Sequence, residues 1–214
     1  MTSIVAFGKS RLACAIAKYF LRSEEFSLLG VVPSTDKNPV FVSLADFAQE
    51  FSVPILELGD LPDVGEVDLG FSCYFSEIFQ PHEIELFGRL VNLHNSPLPR
   101  YRGVRPINWA LKNGEAVHGV TIHDIDSRVD TGSIVAQALF PIFPGDEVLD
   151  VYRRCQLFGW HLFRETAPRI MTLPGIPQDE SLASEYRFSQ DVQLGDRASF
   201  VRATDTPELH IEPL

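Results

Sequence analysis

This 214-residue sequence has no Cys-x-x-Cys pair, no Gly-x-Gly-x-x-Gly turn and no excess of basic residues. No uncharged run reaches the ~20 residues a membrane span needs. Its three cysteines, Cys14, Cys73 and Cys155, are odd in number, far apart and each set in an apolar run. They read as reduced core thiols of a cytoplasmic protein and argue against a zinc site, so no metal is expected. The absent glycine fingerprint excludes a nicotinamide-binding reading, since only Gly8 stands where three glycines would be needed. Eighteen Lys and Arg against 29 Asp and Glu give a net charge of −11. That balance argues against a nucleic-acid partner, because such binding relies on neutralising phosphates, but it permits a local basic patch such as Arg100 to Arg105. Met1-Thr2-Ser3 runs straight into "IVAFG" with no basic leader, so neither a signal peptide nor a membrane partner is expected. Repeats and low-complexity tracts are missing too.

A regular alternation of strand-like and helix-like segments is present. Residues 3–7, 26–32, 67–75 and 89–94 read as apolar strands. Between them, residues 11–22 (capped by Ser10), residues 43–51 and a short turn at 81–87 read as helices, with "VPILEL" extended. Near-continuous apolar strands separated by helices imply parallel strands covered on both faces. The expected fold class is therefore α/β, a doubly wound, mostly parallel sheet. Residues 106–114 read as a further helix, "HGVTIHDID" and "SIVAQALFPI" as two more strands, and 146–171 as the longest helix. The expected division is a catalytic domain over 1–172 and a C-terminal extension over 173–214. Around Gly195-Asp196 the extension has the pattern of a β-hairpin, with a surface wrap on its own domain as the alternative.

Two places carry chemistry. Gly8-Lys9-Ser10-Arg11 joins the first strand to the first helix, where free amides and the helix dipole favour an anion, with Lys9 and Ser10 as candidate contacts. Asn92 and His94, two apart on a strand, project to the same face at the carboxyl end of a parallel sheet, where such sheets bind ligands. Asn92 offers an amide donor and His94 an acid/base near neutral pH. The turn "HDIDSRVDTG" supplies Asp124, Asp126 and Asp130 as candidates to orient the imidazole, and Thr131-Gly132 after it favours Asp130.

The segments "NLHNSPLPRYRG", "NWALKNGE" and "GVTIHDIDSRVDTGSIVAQ" resemble the formyltransferase family that uses 10-formyltetrahydrofolate, over residues 1–171. One departure is Pro97, where the family pattern has leucine. The resemblance implies a Rossmann-like formyltransferase domain, Asn92, His94 and Asp130 as the catalytic trio, and N10-formyltetrahydrofolate as co-substrate. It implies a folate site at Phe75, Ser76, Ile78, Phe79, Asp126, Ser127 and Val129, and a cis bond before Pro99. Within the family the sequence looks closer to the nucleotide-sugar N-formyltransferases. That branch implies a nucleotide-linked amino sugar as substrate, a homodimer, and substrate contacts at Lys9, Ser10, Tyr101, Arg102, Arg105 and Trp109. Glycinamide ribonucleotide and methionyl-tRNA are the rival amines. The tRNA branch adds a barrel domain for which the roughly 40 residues after the long helix are too few. A folate- or nucleotide-binding module without catalysis is the rival of another class.

Overall fold

The computed structural model describes residues 1–35 and 42–198, with side chains to residue 195. The strands are β1 (Thr2–Gly8), β2 (Phe26–Pro33), β3 (Val67–Cys73), β4 (Phe87–His94), β5 (Arg102–Gly103), β6 (Val117–Asp124), β7 (Ile134–Pro141) and β8 (Glu185–Tyr186). The helices are α1 (Arg11–Arg22), α2 (Leu44–Phe51), α3 (Leu61–Val64), α4 (Pro81–Ile84), α5 (Pro106–Lys112) and α6 (Val148–Thr166).

Six strands form one sheet in the order β2-β1-β3-β4-β6-β7. The first four are parallel, and β6 and β7 add antiparallel at the β4 side. The unbroken apolar composition of β1 has a direct cause. Ile4 and Ala6 enter the core shared with α1 and α6, while Val5 and Phe7 enter the core on the opposite face. There Phe7 meets Phe75, Phe79 and Phe87 edge-on at 5.0–5.7 Å, a geometry that the ring quadrupoles favour. Cys73 and Cys155 are buried and Cys14 half-buried, all three as free thiols. Among the described residues, no helix is long and apolar enough to cross a membrane.

Strand order reverses between β1 and β3, and a crevice opens where such a reversal occurs, at the carboxyl ends of the strands. Strands β1 and β3 approach closely there. A Cβ on Gly8 would lie 1.8 Å from the Cys73 carbonyl oxygen, and Gly8 adopts φ 126°, so only glycine fits.

Two elements differ from their sequence reading. Helix α6 stops at Thr166 rather than near 171, because Pro168 cannot continue the amide ladder and the chain tightens into a 3₁₀ turn at Ala167–Arg169. The pattern read as a hairpin is 3₁₀ helix over Phe188–Ala198, kinked at Gly195; residues 199–214 lie outside the described residues. Tertiary contacts explain this segment's form. Leu194 is buried beside Tyr101, Trp109 and Ala110, and Asp191 pairs with Arg105 at 2.6 Å. The described part of the extension thus wraps its own domain, with β8 pairing parallel to β5.

Candidate functional site

Strands β4 and β6 bring the first part of the site together. Asn92 stands directly opposite His123, and His94 opposite Thr121. Asn92 Nδ2 lies 3.3 Å from His123 Nε2, while His123 Nδ1 donates to the Asp124 carbonyl at 2.8 Å. The loop after β4 is fastened to β6. Thr121 Oγ1 donates to the Ser96 carbonyl and accepts from the Leu98 amide, and the Leu98–Pro99 peptide is cis. The loop returns beneath His94, where the Tyr101 carbonyl accepts from Nε2 at 2.9 Å.

Of the three aspartates in the following turn, Asp130 is the one that faces the imidazoles. Its Oδ2 lies 3.5 Å from His94 Nδ1 and its Oδ1 lies 3.4 Å from His123 Nε2. Asp124 is instead held by Arg89 at 2.7 Å, and Asp126 caps its own turn through Arg128 N and Thr131 Oγ1. Gly132 permits the turn, since a Cβ there would sit 1.7 Å from the Asp124 carbonyl oxygen. Burial opposes ionisation of Asp130. The charges of His94 and His123 and the Gly103 amide, at 2.8 Å, outweigh it and hold the carboxyl well below the usual range.

These groups line a cavity of about 720 Å³ that Lys9 also lines, so the turn after β1 and His94 flank one crevice. It is also lined by Tyr74 to Phe79, by the turn residues Ile125, Asp126, Arg128 and Val129, and by Arg105, Tyr186, Arg187 and Phe188. Phe75, Ser76, Ile78, Phe79, Asp126 and Val129 accordingly reach the cavity, whereas Ser127 is exposed away from it.

Several expected substrate contacts lie elsewhere. Ser10 is fully buried and caps α1 by accepting from the Ala13 amide at 3.2 Å. The Leu12 amide is taken by Gln156 Oε1 at 3.2 Å, and the Ser10 amide by the Val42 carbonyl at 2.8 Å. The Ser10, Leu12 and Ala13 amides are therefore spent within the protein. Tyr101 and Trp109, 2% and 3% exposed, stack on either side of Tyr186 and stand behind the cavity wall. Arg102, 4% exposed, is consumed by Gln178 and Glu180. Arg105 does line the cavity while pairing with Asp191.

Sequence reasoning missed His123 and residues 185–188. His123 could have been found, since it alternates with Thr121 on the strand that must pair with "NLH". Nothing in the polar tail marked Tyr186 or Phe188 as cavity residues. Tyr74 was also missed. Its hydroxyl accepts from Gln156 Nε2 at 2.8 Å, and burial pushes the phenol well above its ordinary range.

A family model described as formyl transferase matches residues 56–166. Among curated proteins the chain is similar to the methionyl-tRNA formyltransferase of Limosilactobacillus fermentum, 30% identical over 85% of this chain and 63% of that protein. The methionyl-tRNA formyltransferase of Lactiplantibacillus plantarum is 28% identical over 90% and 65% respectively. The chain thus spans less than two thirds of the length of both. Among solved structures it resembles WlaRD, a sugar 3N-formyl transferase determined with dTDP and 5-N-formyl-THF (TM-score 0.81, 27% identity, 89% of this chain, 71% of that one). It also resembles an N-formyltransferase from Helicobacter canadensis in complex with folinic acid and dTDP-3-aminofucose (TM-score 0.79, 27% identity, 88% and 72%). The family model covers more than half of the sequence and the fold agrees with the solved relatives. The chain belongs to the formyl transferase family.

Proposed function

We propose that this protein transfers the formyl group of N10-formyltetrahydrofolate to the amine of a nucleotide-linked amino sugar. The observation that carries the reading is the meeting of Asn92, His94 and Asp130 on one cavity of about 720 Å³. The cavity's lining holds two kinds of surface that suit two different guests. Residues 74–79 with Ile125 and Val129 offer aromatic and aliphatic surface with strand-end backbone groups, as a flat pterin requires. Lys9, Arg105 and Arg187, with Tyr186 and Phe188, offer what a phosphorylated nucleoside requires.

The folate contributes an electrophilic formyl carbon, and attack by a neutral amine places negative charge on the formyl oxygen. Asn92 Nδ2 and His94 Nδ1 are the donors available to that oxygen, each worth about 3 kcal/mol by analogy with oxyanion sites. His94 Nε2 is fixed by the Tyr101 carbonyl, which leaves Nδ1 for chemistry. Asp130, held ionised, keeps negative charge beside Nδ1. The catalytic work thus falls to residues of the 1–172 segment, and the extension supplies part of the substrate surface.

Methionyl-tRNA is the second reading, favoured by the curated relatives. One experiment separates the two. The purified chain is assayed with 10-formyltetrahydrofolate against dTDP-, GDP- and UDP-linked 3- and 4-amino sugars, glycinamide ribonucleotide and methionyl-tRNA, with formylated product read by mass spectrometry. Turnover confined to a nucleotide sugar supports the proposal, and turnover confined to methionyl-tRNA replaces it.

A further inference from the structure

The geometry points to Gln178, in the C-terminal extension, as the residue that positions Asp130. Asp130 adopts a left-handed backbone, φ 53°, which a non-glycine residue holds only when its surroundings impose it. Its turn lies between β6 and β7, outside their ladder, so its carbonyls need partners from elsewhere. Gln178 supplies them: Nε2 donates to the Asp130 carbonyl at 2.9 Å and to the Gly132 carbonyl at 2.8 Å.

The other end of the same amide is equally committed. Gln178 Oε1 accepts from Arg102 Nε at 3.0 Å and Nη2 at 2.8 Å. A flipped amide would aim oxygen at two carbonyls and nitrogen at a guanidinium, so one orientation alone satisfies all four bonds. Arg102 in turn meets Glu180 at 3.0 and 2.9 Å, and its neighbour Gly103 donates its amide to Asp130 Oδ2 at 2.8 Å. The circuit is closed. The carboxylate is gripped from β5, the backbone of its turn is gripped by Gln178, and Gln178 is gripped by the residue preceding Gly103. Tyr101, whose carbonyl fixes His94, immediately precedes Arg102. Gln178 therefore sets the placement of Asp130 against His94 without lining the cavity itself, which makes it a positioning residue.

The bland alternative is that Gln178 only fastens the extension to the domain. Gln178→Glu separates the two roles. A carboxylate at 178 still pairs with Arg102, so the extension stays attached, but it cannot donate to the Asp130 and Gly132 carbonyls. The kinetic arm rests on the formyl-transfer reading. It expects kcat of Q178E to fall roughly ten- to a hundredfold, with KM for both substrates within twofold and a Tm within a few degrees of wild type. Glu180→Ala weakens the fastening but leaves the grip on the turn, and should leave kcat unchanged. A second arm needs no substrate: imidazole ¹⁵N signals of His94 and His123 should move in Q178E while that of His161, out on α6, does not. Should Q178E fail to fold, Gln178→Asn, one methylene shorter with the same donors and acceptor, is measured with the same expected split. Wild-type kcat with unmoved histidine signals in the variant, or an equal loss in E180A, overturns the proposal. If the wild-type protein formylates none of the amines tried, the functional reading fails, and the ¹⁵N arm still decides the role of Gln178.

Discussion

His94 donates its Nε2 proton to the backbone carbonyl of Tyr101 at 2.9 Å, so the imidazole is oriented by a peptide group seven residues downstream. The aspartate expected to orient it sits at 3.5 Å, long for a hydrogen bond, and acts on the other ring nitrogen through its charge. Two substitutions follow from this division. His94→Ala should cut kcat by at least about a hundredfold with the fold intact, because a donor to the developing oxyanion is lost. Tyr101→Phe keeps the carbonyl and loses only the hydroxyl bonds with Glu115 and Asn113. It should keep kcat within about threefold while costing about 1–2 kcal/mol of stability. Steady-state kinetics and urea unfolding of both variants test this, and a Tyr101→Phe variant as slow as His94→Ala would assign the phenol a role in the site.

The fold, and the meeting of Asn92, His94 and Asp130 on one cavity, were legible because they rest on local, periodic signals. Apolar strands such as "SIVAFG" report a sheet covered on both faces, and Asn92 and His94 sit two apart on one of them. Asp130 was legible through the glycine that its turn requires. The surroundings of the expected substrate contacts were not, and the reason is physical. A sequence shows that Tyr101, Arg102 and Trp109 are rich in recognition chemistry, but not that a later segment has already claimed them. Tyr186 occupies the space between the two aromatics, and Gln178 with Glu180 neutralises the arginine. Likewise, the amide of Leu12 looks available until Gln156, from a helix 144 residues away, is seen to take it. Long-range pairings of this kind leave no periodic trace.

With the Ser10, Leu12 and Ala13 amides committed internally, Lys9 is the residue of the turn after β1 that lines the cavity. Under the nucleotide-sugar reading its ammonium meets a phosphate, a charge-assisted contact worth about 1.5–3 kcal/mol. Lys9→Ala should raise KM for the nucleotide sugar about tenfold or more and leave KM for the folate nearly unchanged. A rise in the folate KM instead would mean that the two surfaces of the cavity are assigned in reverse.

Phe188 lines the cavity yet is 70% exposed, two residues after the anchored Tyr186. A large aromatic surface left open beside cations suits a nucleobase, and stacking of this kind contributes about 1–3 kcal/mol. Phe188→Ala should raise KM for the nucleotide sugar about five- to a hundredfold with kcat preserved. The same variant should bind the free nucleoside diphosphate correspondingly more weakly in calorimetry. Unchanged affinity for that diphosphate would remove Phe188 from the substrate surface.

A last prediction concerns pH and a histidine outside the proposed chemistry. His118 is fully buried, packed edge-on against Phe140 and Tyr101, with Nε2 donating to the Asn95 carbonyl at 2.8 Å. Its Nδ1 has no protein partner among the described residues. Burial lowers its pKa from 6.5 to about 4; the Asn95 carbonyl opposes the shift, and the nearby charges of His94 and Arg100 add to it. In the unfolded chain the same imidazole titrates near 6.5. Between those values the unfolded state binds a proton that the folded state does not, so stability rises with pH across the window. The contribution is fully present above about pH 6.5 and is lost progressively as pH falls towards about 4, up to roughly 3 kcal/mol. His118→Gln retains a donor for the Asn95 carbonyl and removes the titration. Urea unfolding from pH 7.5 to 4 should therefore show wild type losing stability more steeply than the variant, with the gap between them changing over pH 6.5 to 4. Carboxylates common to both proteins, Asp130 among them, contribute equally to each curve and cancel in the difference. Parallel curves would mean that His118 takes up its proton in the folded state as readily as in the unfolded one.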